Sequence, residues 1–348
     1  MIAVSDPQPE NIRTLEHKAL RTQEGKEPVE LFRSVNVDWL RLKWYFLGFS
    51  VIFSVAGVVK MSLNMAQIHS PVPLGVDFQG GTQVRVQFQQ TPDVGKIRQA
   101  TEQAGIKDAS VVRFDAASNN EVLISLPEQT NENALDVGRQ QIYDALHAQF
   151  GDSFNVRDVA VVGPTVGHQL ERQAGLATLY SMLGMLIYLW FRFQLIYGVA
   201  AVVACFHDTL ITVGAFALTG REISLTVIAA ILTLIGYSMN DTIVVFDRIR
   251  ENLRLSRRES LPDVVNRSIN QTLSRTVLTS GLTFLTVLSL YIFGGQVLNG
   301  FSFALVVGIL IGTYSSIAVA APMLVAWQQW RAKSGKATVL PAARRPKA

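Results

Sequence analysis

The stretch LTVIAAILTLIGYSMNDTIVVFDRIR, residues 225–250, decides how the rest of the chain is read. Between Leu225 and Phe246 it carries a single charge, Asp241, and then turns basic at Arg248 and Arg250. As a helix rising about 1.5 Å per residue, that apolar block reaches about 33 Å, enough to cross the hydrocarbon core of a bilayer. Five more blocks of the same character follow from the same criterion. They are Trp44–Val59 with Leu40–Lys43 ahead of it, Gly175–Phe191, Ile196–Leu218, Val277–Phe293 and Phe301–Trp327.

Lysine and arginine orient these spans, because short loops rich in them stay on the cytoplasmic side. Arg33, Arg41 and Lys43 precede the first span, and Arg192 separates the second from the third. Arg248, Arg250, Arg254, Arg257, Arg258, Arg267 and Arg275 lie between the fourth and fifth, and Arg331, Lys333 and Lys336 follow the sixth. On the opposite side Arg221 stands alone and residues 294–300 hold no Lys or Arg. The sequence thus predicts cytoplasmic termini and a long outside segment between the first two spans. With 49% hydrophobic residues in 348 and a net charge of +4 placed beside the spans, the composition calls for a membrane and not for nucleic acid. The only cysteine, Cys205, lies in an apolar block, so no intrachain disulfide is possible. Residues 1–39, with Asp6, Glu10, Glu16, Glu24, Glu27 and Glu30, read as a polar cytoplasmic tail and not as a cleaved signal.

The outside segment has its own pattern. Val84, Val86 and Phe88 alternate in a strand within Val76–Phe88, after the turn Gln79-Gly80-Gly81. Thr91–Ala104 reads as a helix capped by Thr91 with Pro92 at its first position. Ala109–Phe114 and Glu121–Leu126 form a hairpin around Ser118-Asn119-Asn120. Asn133–Phe150 is a helix ended by Gly151, and Phe154–Val162 a last strand. The order β-α-β-β-α-β is that of a ferredoxin-like split βαβ unit. The fold expected is therefore a membrane all-α six-helix bundle with an inserted α+β ferredoxin-like periplasmic domain. Its parts are a tail over 1–39, a first span over 40–62, a periplasmic domain over 63–172, five spans over 173–327, and a tail over 328–348. Within the loop 248–275, Ser260 and Pro262 mark a helix start, and Val265, Ile269 and Leu273 recur at helical spacing, as in an amphipathic helix lying on the membrane surface or, alternatively, a docking site for a cytoplasmic or membrane partner.

Ionisable groups inside apolar spans are expensive and normally face a protein interior or a water path. His207 and Asp208 lie mid-span in the third block, Asn240 and Asp241 in the fourth, and Arg275 at the entry to the fifth. Two opposing influences act on a carboxyl such as that of Asp241: loss of water favours the protonated form and a nearby arginine the ionised form. A proton moved through the membrane field gains about 2.3 kcal/mol per 100 mV, enough to bias a conformational equilibrium. The bland alternative is a permanent Asp241–Arg275 pair that fixes helix packing. His207 and Asp208, being neighbours about 100° apart on a helix, are not expected to point at one small site. Gly308 and Gly312 form a G-x-x-x-G that permits close helix approach. No Walker A loop, G-x-S-x-G or metalloprotease motif occurs, and the five histidines are scattered. Neither an enzyme, a metal site nor an ATP-driven device is expected.

The run Ile235–Asn252, the Phe206-His207-Asp208 triplet, Val162–Gly167 and Ser268–Thr276 together resemble the SecF family. Asp77, Phe78, Gly80, Gly81 and Thr82 match the Asp-Phe-x-Gly-Gly-Thr motif that SecD and SecF share. The resemblance covers about residues 40–327. It implies a subunit of the resistance-nodulation-division superfamily in the inner membrane, working with SecD, and with YajC, SecYEG and YidC, on an exported unfolded polypeptide. It implies drive by the proton motive force without a cofactor, and proton transfer through Asp241 and Arg275 with Asn240 beside them. Two competing readings stay open: a scaffold whose polar residues only hold helices and partners, and a related exporter of small molecules or lipids.

Overall fold

The computed structural model describes residues 36–104, 106, 109–113, 120–127, 134–193, 195–256 and 259–334. Most of the two tails and residues 118 and 119 of the expected hairpin turn lie outside the described residues. Among the described residues six helices are long and apolar enough to cross a membrane. Helix α1 runs from Lys43 to Ile68. It continues nine residues past the apolar block that ends at Val59, and six past the expected span, because Lys60 does not interrupt it: a lysine in a membrane helix extends its stem along the apolar surface toward water. His69 then ends it in the left-handed conformation, φ 55°.

The short helix α2, Val76–Gln79, was not legible as a helix; it leads through Gly80 and Gly81, at φ 75° and 127°, into β1, Gly81–Phe88. These positive angles are open to glycine at no steric cost. Helix α3 (Val94–Gln103), β2 (Ser110–Arg113), β3 (Glu121–Pro127), α4 (Ala134–Phe150) and β4 (Phe154–Val162) follow. The strands form one antiparallel sheet in the order β2-β3-β1-β4. Val84, Val86 and Phe88, all on one face of β1, meet Ile97 of α3 and Ile142 and Leu146 of α4 in a dry core. Helix α3 starts later than expected: Asp93, not Thr91, accepts from the Gly95 N–H at 2.9 Å and is the cap. Gly151 ends α4 at φ 56°, as its position suggested.

Helix α5 spans Pro164–Arg192 and starts well before the apolar block, with proline at its first position. Helix α6 covers Leu195–Thr219 and α7 Leu225–Leu255. Helix α8 runs unbroken from Leu261 to Phe293. Its start at Ser260 and Pro262 is where the sequence placed it, but the surface helix expected in the 248–275 loop does not exist as a separate element. No glycine or proline separates Leu273 from Val277, so the helix continues into the span. Val265, Ile269 and Leu273 are buried in the bundle and do not face outward. Asn252 of α7 donates to Ser268 Oγ and Gln271 Oε1, both at 2.8 Å, closing this face. The last span is α9, Gly295–Ser315, a π-helical turn at Ser316–Ala320, and α10, Ala321–Lys333. Pro322 has no N–H to return to Ala318, which accounts for the loosened turn ahead of it.

Candidate intramembrane site

The buried face of α7 carries Leu234, Ser238, Asp241 and Thr242 one after another. Helix α9 reaches this face through Gly308 and Gly312. A Cβ at Gly308 would lie 2.4 Å from a Leu234 methyl, and one at Gly312 3.0 Å from Ser238 Cβ. The two glycines therefore set the close α7–α9 approach that their spacing suggested, and the next turn of α9 brings Ser315 alongside.

Asp208 lies where these elements meet α6. It is 1% exposed. Its Oδ2 accepts from Ser238 Oγ at 2.6 Å and Ser315 Oγ at 2.7 Å, and its Oδ1 lies 2.9 Å from His207 Nδ1. The expectation that adjacent residues could not share a site is overturned. Neighbouring Cα atoms are only 3.8 Å apart, and the imidazole reaches back to the next carboxylate. The other ring nitrogen, His207 Nε2, lies 3.0 Å from Ser50 Oγ on α1. Ser50 Oγ is 3.1 Å from Tyr314 Oη, which donates to the Phe46 carbonyl. Four side chains from three other helices thus surround one His–Asp pair.

Asp241, 2% exposed, is differently placed. Its Oδ2 accepts one hydrogen bond, from Ser280 Oγ of α8 at 2.5 Å. Arg275 lies about 7.5 Å further back along α8 from Ser280. It is exposed, and among the described residues no ion pair joins it to Asp241. The permanent pair offered as the bland alternative is therefore not formed in this conformation. Asn240 is exposed, about 100° around α7 from Asp241, and among the described residues it makes no hydrogen bond to it. Thr276 Oγ1, one turn from Ser280 on α8, is buried with no hydrogen-bond partner.

The residues around Asp77 form a joint, not a pocket. Asp77 Oδ2 accepts from the Leu225 N–H at 2.9 Å, so the first free donor of α7 is capped by a side chain of the inserted domain. Gly75 N donates to Ile223 O at 2.9 Å and Ile223 N to Pro73 O at 2.8 Å, a two-bond parallel bridge beside that cap. Phe78 and Thr82 are buried. A Cβ at Gly167 of α5 would stand 2.5 Å from Phe78 O, so the Asp77–Thr82 motif is also pressed onto α5.

Sequence reasoning missed Ser50, Ser238, Ser280, Ser315 and Tyr314 as partners. A signal for Ser50 was present. The buried residues of α1 are Ser50, Gly57 and Asn64, small or polar at a seven-residue spacing in an otherwise apolar helix. That stripe matches His207 and Gly214 of α6, where Gly57 and Gly214 approach so closely that a Cβ on Gly57 would meet Gly214 Cα at 2.9 Å.

A family profile described as protein export membrane protein SecD/SecF, C-terminal, matches residues 142–330. A second, the SecD/SecF GG motif, matches residues 67–92. Protein translocase subunit SecF of Koribacter versatilis is 53% identical, with 89% of this chain and 96% of that protein covered. The subunit of the same name from Desulfurispirillum indicum is 44% identical over 84% of this chain and 92% of its own length. Among solved structures, SecDF from Thermus thermophilus, described as a translocon-associated membrane protein, superposes with a TM-score of 0.75 at 35% identity over 91% of this chain. SecDF in a super-membrane-facing form superposes with a TM-score of 0.66, again at 35% identity over 91% of this chain. The chain spans 42% of the length of either SecDF protein.

Proposed function

The chain belongs to the SecF family of Sec translocase accessory subunits, multi-pass proteins of the inner membrane, and on that premise we propose that it turns the proton motive force into movement of its inserted domain. Helix α7 carries the proposal. At one point it holds Asp241, buried with one hydroxyl partner, and at its first residue its backbone is capped by Asp77 of the inserted domain. The two points are about 24 Å apart along one unbroken helix. A change of charge at Asp241 that shifts α7 against α8 therefore shifts the joint at Asp77. Arg275, which forms no ion pair among the described residues, is the cation that approaches Asp241 in another state of the cycle. Asn240 contributes polarity on the outer side of α7.

The inserted domain is read as a ferredoxin-like unit on its element order and its β2-β3-β1-β4 sheet. It lies in the periplasm and both termini in the cytoplasm. The clustering of Arg192, Arg248, Arg250, Arg254, Arg331 and Lys333 at one end of the bundle supports that orientation, against Arg221 alone at the other. SecD supplies the complementary half, with YajC, SecYEG and YidC as further partners and the exported unfolded chain as the load. No cofactor enters the cycle. In cells whose only copy carries Asp241→Asn, export of a secreted precursor falls to background while SecD still co-purifies. Export at the normal rate in those cells would reduce Asp241 to a packing group.

A further inference from the structure

The hydrogen-bond network around His207 fixes where its protons are. The Phe46 carbonyl can only accept, so the Tyr314 hydroxyl spends its one proton there. The Ser50 hydroxyl, 3.1 Å from Tyr314 Oη, must then donate to that oxygen. With its proton committed, Ser50 can only accept from His207 Nε2, which therefore carries a hydrogen. On the other side of the ring, Nδ1 and Asp208 Oδ1 are 2.9 Å apart and need one proton between them. Ser238 and Ser315 both donate to Oδ2, the pattern that suits an ionised carboxylate. The shared proton is therefore assigned to the ring, and the pair carries no net charge, which suits a low-dielectric interior. Among the described residues no Lys or Arg hydrogen-bonds or ion-pairs with either side chain. The titratable groups nearby are Cys205 on α6, Tyr314 on α9 and, three residues beyond Ser238 on α7, Asp241.

This pair also has a mechanical position. Helix α1 is largely uncovered, and only Ser50, Gly57 and Asn64 are buried. Of these, Gly57 contributes contact without a bond to the bundle, and Asn64 bonds within the α1–α2 connection, to Pro71 O. Among the described residues the Ser50–His207, Ser50–Tyr314 and Tyr314–Phe46 hydrogen bonds are thus the polar ties of α1 to α6 and α9, in its first two turns, and α1 runs directly into the inserted domain.

We propose that His207 and Asp208 form a second intramembrane proton site, an imidazolium–carboxylate pair distinct from Asp241, whose proton latches α1 to the bundle. Loss of that proton leaves a lone pair of Nδ1 facing a carboxylate and a net charge in the membrane, and weakens the hold on Ser50. The proposal stands whether or not Asp241 drives export.

The test is nitrogen NMR of histidine-labelled chain in the assembled SecD complex in lipid bilayers, with the His207 signals assigned by their loss in His207→Gln. The expected wild-type spectrum at pH 7 shows both ring nitrogens protonated. Asp208→Asn leaves only Nε2 protonated. Asp241→Asn leaves the His207 signals unchanged, which separates this claim from the one about export. A singly protonated wild-type ring at pH 7 overturns the proposal, and that spectrum decides even where a variant fails to assemble. For the latch, hydrogen exchange in α1 rises about tenfold in Ser50→Ala and in Asp208→Asn. Exchange unchanged in both would remove the latch.

Discussion

Two aspartates buried to the same degree in one helix bundle have opposite surroundings. Asp208 holds three partners, from α6, α7 and α9, and its imidazole neighbour extends the network to α1. Asp241 holds one, Ser280, with the unpartnered Thr276 hydroxyl a turn away on α8 and the nearest arginine turned outward. A carboxyl with three of its roughly four lone-pair sites engaged has little to gain from a change of charge or position. One with an open lone pair, a free hydroxyl nearby and an uncommitted cation has somewhere to go. The difference assigns Asp208 to holding the bundle and Asp241 to moving it.

The assignment can be broken most sharply by exchanging the phenotypes. Asp241→Asn is expected to abolish export, by tenfold or more, with the complex assembled. Asp208→Ala is expected to lose assembled protein, because it strands a buried imidazolium and two hydroxyls at roughly 3–5 kcal/mol; thermal stability of the purified complex measures it. The reverse pattern would invert the roles. Gly308→Leu drives a side chain into Leu234 and is expected to cost about 1–3 kcal/mol, again read as a lower melting temperature. Ser280→Ala leaves Asp241 without its only partner and is expected to slow export several-fold, with a stability change of about 1–3 kcal/mol, while Ser280→Thr restores the hydroxyl. The smallest effect belongs to the joint. Asp77→Ala removes a helix cap worth roughly 0.5–2 kcal/mol, whereas Asp77→Asn, an equally good cap, is expected to be nearly neutral for stability. Export that fails in Asp77→Ala but not in Asp77→Asn would show that the cap transmits motion.

The number of spans, the alternation that builds the sheet, and the start of α8 at Ser260 were legible because each rests on local periodicity or a local cap. The lengths of α1, α5 and α8 were not. Lys60, the polar first turns after Pro164 and the polar stretch 263–276 looked like boundaries by hydropathy, yet nothing in them breaks a helix. Asp241, Asp208 and His207 stood out as ionisable residues among apolar ones. Their partners did not, because a serine in a membrane helix costs little and gains meaning only from what faces it. Which hydroxyl meets which carboxylate is set by the Gly57–Gly214 and Gly312–Ser238 approaches, and these are properties of the packed bundle.

Infrared difference spectroscopy of the complex in bilayers across a pH titration tests the central contrast most directly. The account expects a protonated-carboxyl band within the working pH range that disappears in Asp241→Asn and survives in Asp208→Asn. A band that survives Asp241→Asn and vanishes in Asp208→Asn would contradict it, and would make Asp208 the carboxyl that cycles.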